Sequence, residues 1–247
     1  MQLKYMALSV LLIYQFALAQ SAREVVQRAD SLFRGETSRI ELTMNIVRPN
    51  WTRELSIRSY SKGDQYAMIY ILAPARDRGT AFLKRGNEVW QWVPNIQRVV
   101  KIPPSMMMQS WMGSDFTNDD LVREASVVDD YEHSFLGDTT IDGQEAWKIQ
   151  MIPKPNAPVV WDKVITVITK KDYIQRRSEF YDETGALVNV MTLSEVKEMG
   201  GRLIPTHLVM EPLDKPGHRT EMRYLDVQFN IPIDNSFFSQ QNMKRIQ

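Results

Sequence analysis

Cysteine is absent from the 247 residues. That excludes disulfides and thiolate metal sites, so in an oxidising compartment the fold would hold without covalent staples. Histidine is scarce, at His133, His207 and His218. None of the three stands in an HxxxH or HExxH pattern, so zinc has no local motif to bind. No glycine-rich phosphate loop occurs. Gly113-Ser114-Asp115 lacks the G-x-S-x-G spacing of a nucleophile elbow, and neither Ser105 nor Ser110 supplies one. The acidic pairs Asp119-Asp120 and Asp129-Asp130 read as a helix start and a solvated loop rather than as a carboxylate dyad. Thirty Lys and Arg balance thirty Asp and Glu without forming a basic stripe. That argues against nucleic acid as a partner, because phosphate binding needs clustered cations. The expectation is a protein without catalytic residues, metal or cofactor. A hydrolase would need a histidine and a carboxylate beside a nucleophile.

Long hydrophobic runs are also missing after the N-terminus, where the longest later one is Ala67–Ala73. At the N-terminus, Lys4 is followed by an apolar stretch from Met6 to Leu18, broken only by Ser9 and Gln15. Ala17-Leu18-Ala19 has the small-x-small form of a signal-peptidase site. The stretch is too short to span a bilayer of about 30 Å. Residues 1–19 are therefore expected to be a signal peptide cleaved before Gln20. Residues 20–247 are expected to form one exported, soluble domain, long enough to bury a sizeable core.

Methionine and tryptophan, in contrast, are plentiful, at 14 and 6 residues. Methionine is flexible and polarizable, suited to surfaces that adapt to varied apolar partners. Four methionines and Trp111 crowd into Ser105–Gly113, the stretch SMMMQSWMG, which continues as Ser114-Asp115-Phe116. Pro103-Pro104 stops the preceding strand; Met108, Trp111 and Met112 then fall at helical steps, and Gly113 can end the turn. Thr117 and Asp120 have capping-box spacing, which predicts a helical turn or two over residues 118–124. As core, this segment has an odd entry and exit. As a membrane-docking helix, it lacks flanking cations beyond Lys101. As a movable cover over something apolar, it makes sense.

Elsewhere the periodicity is simple. Val25, Val26, Ala29, Leu32 and Phe33 share one face of a helix that Gly35 can end. Beyond it the period becomes two. Ile40, Leu42, Met44 and Ile46 alternate with polar residues, as do Leu55 and Ile57, then Trp147, Ile149 and Met151, then Leu225, Val227 and Phe229. Turn signals such as Lys62-Gly63-Asp64, Asp142-Gly143 and Gly200-Gly201 punctuate the series. The spacing predicts ten or eleven half-buried antiparallel strands and no βαβ units. The fold class is mainly β with few helices: a large meandering sheet whose open face the helices can cover. Trp90 and Trp92, two apart on a strand, point to one face, either as core or as cavity wall. Trp51 and Trp161 flank turns and could form a rim.

Gly86-Asn-Glu-Val-Trp90-Gln-Trp92-Val-Pro94 resembles the G-x-x-x-W-x-aromatic-x-P hairpin of the outer-membrane lipoprotein-sorting, LolA/LolB-like family. Met112-Gly113-Ser114-Asp115-Phe116 with Asp119-Asp120-Leu121 resembles the "GSDF…DL" signature of its exported branch, and Ile231-Pro232 with Phe237-Phe238-Ser239 its closing segment. The resemblance covers most of residues 20–245. It implies an incomplete, curved antiparallel barrel, capped by helices around an apolar cavity. It implies a noncatalytic periplasmic carrier of lipid or acylated lipoprotein cargo. It also implies a membrane partner: an inner-membrane transporter of the resistance-nodulation-division type, or an outer-membrane acceptor. The expected cavity residues are Met44, Trp90, Trp92, Met107, Met108, Trp111, Met112, Phe116 and Trp147. The family's lid-holding arginine has no secure counterpart; Arg58 and Lys62 are the nearby cations. The alternative of a different class is a sensory or scaffold domain that uses the same fold to bind a protein.

Overall fold

The computed structural model describes residues 20–123 and 127–245; the expected signal peptide lies outside the described residues. The first element of the described residues is helix α1 (Ala22–Phe33). A full capping box sets its start: the Ser21 hydroxyl accepts the Glu24 N–H, and the Glu24 carboxylate accepts the Ser21 N–H. Its apolar stripe, Ala22, Val25, Val26 and Ala29, is buried. Arg202 fixes the other end by donating to the carbonyls of Ser31 and Arg34 at 2.7 and 2.9 Å, satisfying acceptors the helix leaves open.

The alternating segments form strands, as the period of two requires. Before the central segment they are β1 (Thr37–Arg48), β2 (Trp51–Lys62), β3 (Tyr66–Ala73), β4 (Ala81–Arg85), β5 (Glu88–Val93) and β6 (Arg98–Ile102). After it come β7 (Tyr131–Ile141), β8 (Gln144–Pro153), β9 (Lys163–Thr169), β10 (Gln175–Tyr181), β11 (Leu187–Met199), β12 (Arg202–Pro212) and β13 (Arg219–Phe229). The described residues thus carry thirteen strands, not ten or eleven. Short strands account for such undercounting: in β4, four consecutive residues are buried, so no alternation is visible.

All thirteen join one antiparallel sheet in the order β6-β5-β4-β3-β2-β1-β13-β12-β11-β10-β9-β8-β7. β13 sits at the middle, and β1 beside it is paired to β2 on one side and β13 on the other. The chain walks outward to β6, crosses to the opposite edge, and walks back from β7. The crossing segment, residues 103–130, therefore has to connect the two edges of the sheet. Residues from both halves, β1 to β3 and β8 to β13, line one common cavity, so the sheet curls. It does not close, because β6 and β7 do not pair.

The two faces are covered differently. On the concave side, α1 packs against β7, β9 and β12. The crossing segment adds Met107, Trp111, Phe116, Val122 and Val128 to the main core. On the outer face, single turns at Asn235–Phe237 and Asn242–Lys244 bring Phe238 and Met243 against Met68, Tyr70 and Leu83. Tyr70 donates its hydroxyl hydrogen to the Asn242 carbonyl at 3.0 Å. The burial of that hydroxyl pushes its pKa up to about 12.

Candidate ligand cavity

The concave face of β1 presents Ile40, Leu42 and Met44 at every second position, and β12 and β13 present Leu208, Met210 and Met222 beside them. β8 to β11 close the far wall with Met151, Val164, Phe180, Met191 and Leu193. These apolar residues do not meet in the middle. They enclose a cavity of about 340 Å³, which α1 borders through Val26, Ala29 and Phe33. A pocket of this size falls within the range that holds small ligands. Polar groups stand among them: the Asp30–Arg34 ion pair of α1 at 2.8 Å, Ser38, Ser59 and Ser61 on β1 and β2, Thr166, Gln175 and Ser178 on β9 and β10, and Asp119 and Asp120 of the crossing segment.

The crossing segment forms the roof. Its expected helix over Met108 to Met112 is replaced by two separate single turns, Pro104–Met106 and Trp111–Gly113. Met112 adopts a left-handed conformation (φ 54°) and Gly113 another (φ 80°), so the chain reverses there. The reversal folds residues 107–119 back on themselves. Trp111 N–H donates to the Phe116 carbonyl at 2.8 Å, Asn118 N–H to Gln109 at 2.9 Å, and Asp119 N–H to Met107 at 3.1 Å. Local helical spacing loses here to tertiary bonds. Arg48, at the end of β1, donates to the Gly113 carbonyl at 2.7 Å and pairs with the Asp115 carboxylate at 2.9 Å. Thr220 on β13 donates to the same carboxylate at 2.7 Å. Arg53 on β2 donates to the Met112 carbonyl. The roof is thus held by Arg48 and Arg53. The cations suggested by sequence do otherwise: Arg58 pairs with Glu41 at 2.9 Å, and Lys62 donates to the Ile233 carbonyl at 3.2 Å.

The capping box at Thr117 is present as expected. Asp120 accepts the Thr117 N–H at 2.8 Å, and the Thr117 hydroxyl accepts the Asp120 N–H at 3.1 Å. The turn that follows, Asp119–Arg123, is wound as a π-helix. The second oxygen of Asp120 accepts the indole N–H of Trp161 at 2.9 Å. Burial pushes the Asp120 carboxyl above the usual aspartate range, against these hydrogen bonds. A raised folded-state pKa means that the native state binds the proton more tightly than the unfolded chain. This group's contribution to stability is therefore full below the ordinary aspartate pKa and fades as pH rises through the elevated value. Carboxyl NMR titration should show Asp120 protonating above an ordinary aspartate, and Asp120→Asn should remove that part of the pH dependence of the melting midpoint.

Three of the sequence-predicted residues, Met44, Trp111 and Phe116, lie on the cavity wall. Met107 is buried in the adjoining core. Trp147 packs beside Phe135 and Tyr173, away from the cavity lining. Trp90 and Trp92 do share a face, but it is the outer one: they pack with the C-terminal turns, while Val89, just before Trp90, points from the other face into the main core. Alternation alone cannot say which face of a strand is concave when a second core covers the back. Met112 packs at the edge of the roof, and Met108 is 52% exposed, because no helix aligns it with Trp111. Met108→Ser should therefore move the melting midpoint by no more than about 2 °C, as a surface change does. A larger shift in a circular-dichroism melt would place Met108 in the core. Trp161, expected at a rim, lies on the wall, and Trp51 is half exposed at the β1–β2 turn. Wall residues that the sequence reading missed include Met151, Met191, Met210 and Met222, each in a short strand pattern like any core methionine.

The structure brings His207 into a polar group that the sequence does not show. It lies 3.3 Å from the Ser194 hydroxyl and within 3.5 Å of Glu221, on the outer face of β11 to β13. The carboxylates there are engaged by cations, Arg223 on Glu195 and Arg219 on Glu221. This group has no contact with the cavity. Among the described residues, no cluster of three His, Cys, Asp or Glu could hold a metal ion, and no helix is long and apolar enough to cross a membrane.

No curated protein matches the chain in sequence. Solved structures match in fold. A DUF1329 family protein from Desulfovibrio piger superposes with a TM-score of 0.82 at 22% identity, over 90% of this chain and 97% of that one. An outer membrane lipoprotein-sorting protein domain from Vibrio parahaemolyticus gives 0.81 at 22%, over 91% and 98%. A LolA superfamily protein from Nitrosomonas europaea gives 0.79 at 21%, over 91% and 100%. A family model described as "Uncharacterized protein" matches residues 63–245, most of the chain. The chain belongs to that family, and the fold it carries is that of the outer-membrane lipoprotein-sorting, LolA-like proteins.

Proposed function

We propose that this protein is a noncatalytic carrier in the periplasm. It holds the acyl chains of a lipid or lipidated protein in the concave cavity and passes them between membrane partners. The observation that carries this reading is the unfilled apolar cavity between curled sheet, helix and roof, with a volume of about 340 Å³. Protein interiors are close-packed, and an unfilled space of this size costs stability unless something uses it. Each acyl methylene exposed to water costs about 0.8 kcal/mol, so a lipid crossing an aqueous space needs such a shelter. The similarity to a lipoprotein-sorting protein domain from Vibrio parahaemolyticus points to the same class of cargo. Export by the N-terminal segment would deliver the chain to that space. A transporter in the inner membrane or an acceptor in the outer membrane would load and unload it.

Trp111 and Trp161 line the wall and report on its contents. Titrating delipidated protein with a long-chain amphiphile should change tryptophan fluorescence saturably and at low stoichiometry. Folded protein that shows no saturable change with any amphiphile would refute the carrier reading.

A further inference from the structure

The concave face of β1 and β2 changes character along its length. Ser38 stands opposite Ser61 and Ile40 opposite Ser59; two steps further come Leu42 opposite Ile57, then Met44 opposite Leu55. Side chains two apart share a face, so hydroxyls line the cavity at the start of β1 and hydrocarbon lines it beyond. Met44 also pairs with Met222 on β13, and Ile46 with Thr220, which bonds Asp115 of the roof. The apolar end thus lies under the roof. The hydroxyl end lies beside the last turn of α1, where Phe33 and the Asp30–Arg34 ion pair join the lining. Exposure follows the same axis. Met44 is fully buried, whereas the Asp30 and Arg34 side chains are 22% and 26% exposed and Ser59 and Ser61 are half-buried. Solvent therefore reaches the hydroxyl end. Away from it, polar wall groups bond within the protein: Gln175 donates to Ser178 at 2.6 Å, Ser178 to Thr166 at 3.2 Å, and Asp120 accepts from Trp161.

We propose that the cavity holds its cargo in one orientation: an uncharged, hydroxyl-bearing head of the glyceryl-ester class lies against Ser59, Ser61 and the Asp30–Arg34 pair, and the acyl chain runs under the roof toward Met44 and Met222. This deepens the carrier reading and rests on it. The class of head follows from the groups that meet it. The Ser61 hydroxyl is bonded to Ser38 at 2.7 Å and keeps capacity for a further bond. Serine hydroxyls both donate and accept, and so do the hydroxyls of a glyceryl head. Asp30 and Arg34 cancel each other's charge, so this end has no net charge to set against the cost of drawing a carboxylate or ammonium head out of water. Arg202, at the same end of α1, is held by the helix carbonyls. With the head at the solvated end, the chain has only hydrocarbon beside it on β1 and β2.

The test uses the full mature chain and three probes with the same acyl chain: glyceryl monotetradecanoate, methyl tetradecanoate and the tetradecanoate ion at mildly alkaline pH. Each competes against a bound fluorescent fatty probe, with affinities referred to its free monomer concentration. The glyceryl ester should bind on the order of threefold to tenfold tighter than the methyl ester, the span of one neutral hydrogen bond, and tighter than the ion. The double change Ser59→Ala with Ser61→Ala should erase that preference and leave methyl-ester binding unaltered. Orientation is read in the wild type, so that it stands even where the variant folds poorly. Magnetisation transfer in NMR should join the terminal methyl of the bound glyceryl ester to the Met44 and Met222 methyls, and its glyceryl protons to Ser59 and Ser61. Equal affinities for the two esters, a tighter ion, a glyceryl preference that survives in the folded double variant, or a terminal methyl that meets Ser59 and Ser61 instead of the methionines would each overturn the proposal while leaving the carrier reading intact. If none of the three displaces the fluorescent probe, the carrier reading falls with it.

Discussion

Replacing Asp115 by alanine should destabilise the protein by about 3–5 kcal/mol and lower its melting midpoint by on the order of 10 °C. The side chains of Arg48 and Asp115 are 10% and 5% exposed, so the pair is largely removed from water. Removing only the carboxylate strands the guanidinium in the interior, and that uncompensated charge is what costs so much. The Thr220 hydroxyl loses its acceptor in the same step. The double change Arg48→Met with Asp115→Ala removes both charges and should be distinctly milder than Asp115→Ala alone. Chemical denaturation of the four proteins of this cycle measures the coupling directly. Single variants that each lose less than 1 kcal/mol would show that the roof is not anchored through this pair.

The second large effect is on binding. Leu208 is 6% exposed on β12, and its side chain lines the cavity. Leu208→Trp should drive an indole into the space that an acyl chain would occupy. Displacing just two methylenes from the cavity costs about 1.6 kcal/mol, more than tenfold in Kd, and a ring displaces more than two. The expected result is long-chain affinity weakened by well over tenfold. Because the cavity can absorb the added volume, the stability loss should stay at or below the 1–3 kcal/mol typical of overpacking. Unchanged affinity in a folded variant would put the ligand somewhere else on the molecule.

The two predictions draw on features that were legible in the sequence to different degrees. The helix at Val25 to Ala29 and the strand of Ile40, Leu42 and Met44 announce themselves, because each buries one face and exposes the other. The capping pair Thr117 and Asp120 was equally readable, being local chemistry. The roof was readable in its composition but not its shape. Met108, Trp111 and Met112 have helical spacing, yet the bonds from Arg48 and Arg53 to the carbonyls of Gly113 and Met112 come from residues some sixty positions earlier. No local pattern can contain them. Trp90 and Trp92 show a related limit. Period two assigns them a common face, but the choice between concave and outer faces depends on Phe238 and Met243 arriving from the far C-terminus. Likewise the position of residues 103–123 over the concave face follows from the pairing of β1 with β13, a contact between the first and last strands.

The most direct measurement is the content of the cavity itself. The protein should be purified from its native host without detergent, extracted with organic solvent, and the extract weighed against protein by mass spectrometry. The account predicts an acyl lipid at close to one equivalent per chain, which is lost from Leu208→Trp prepared in parallel. An extract free of acyl lipid, or the same lipid in equal amount from the wild type and from folded Leu208→Trp, would contradict it.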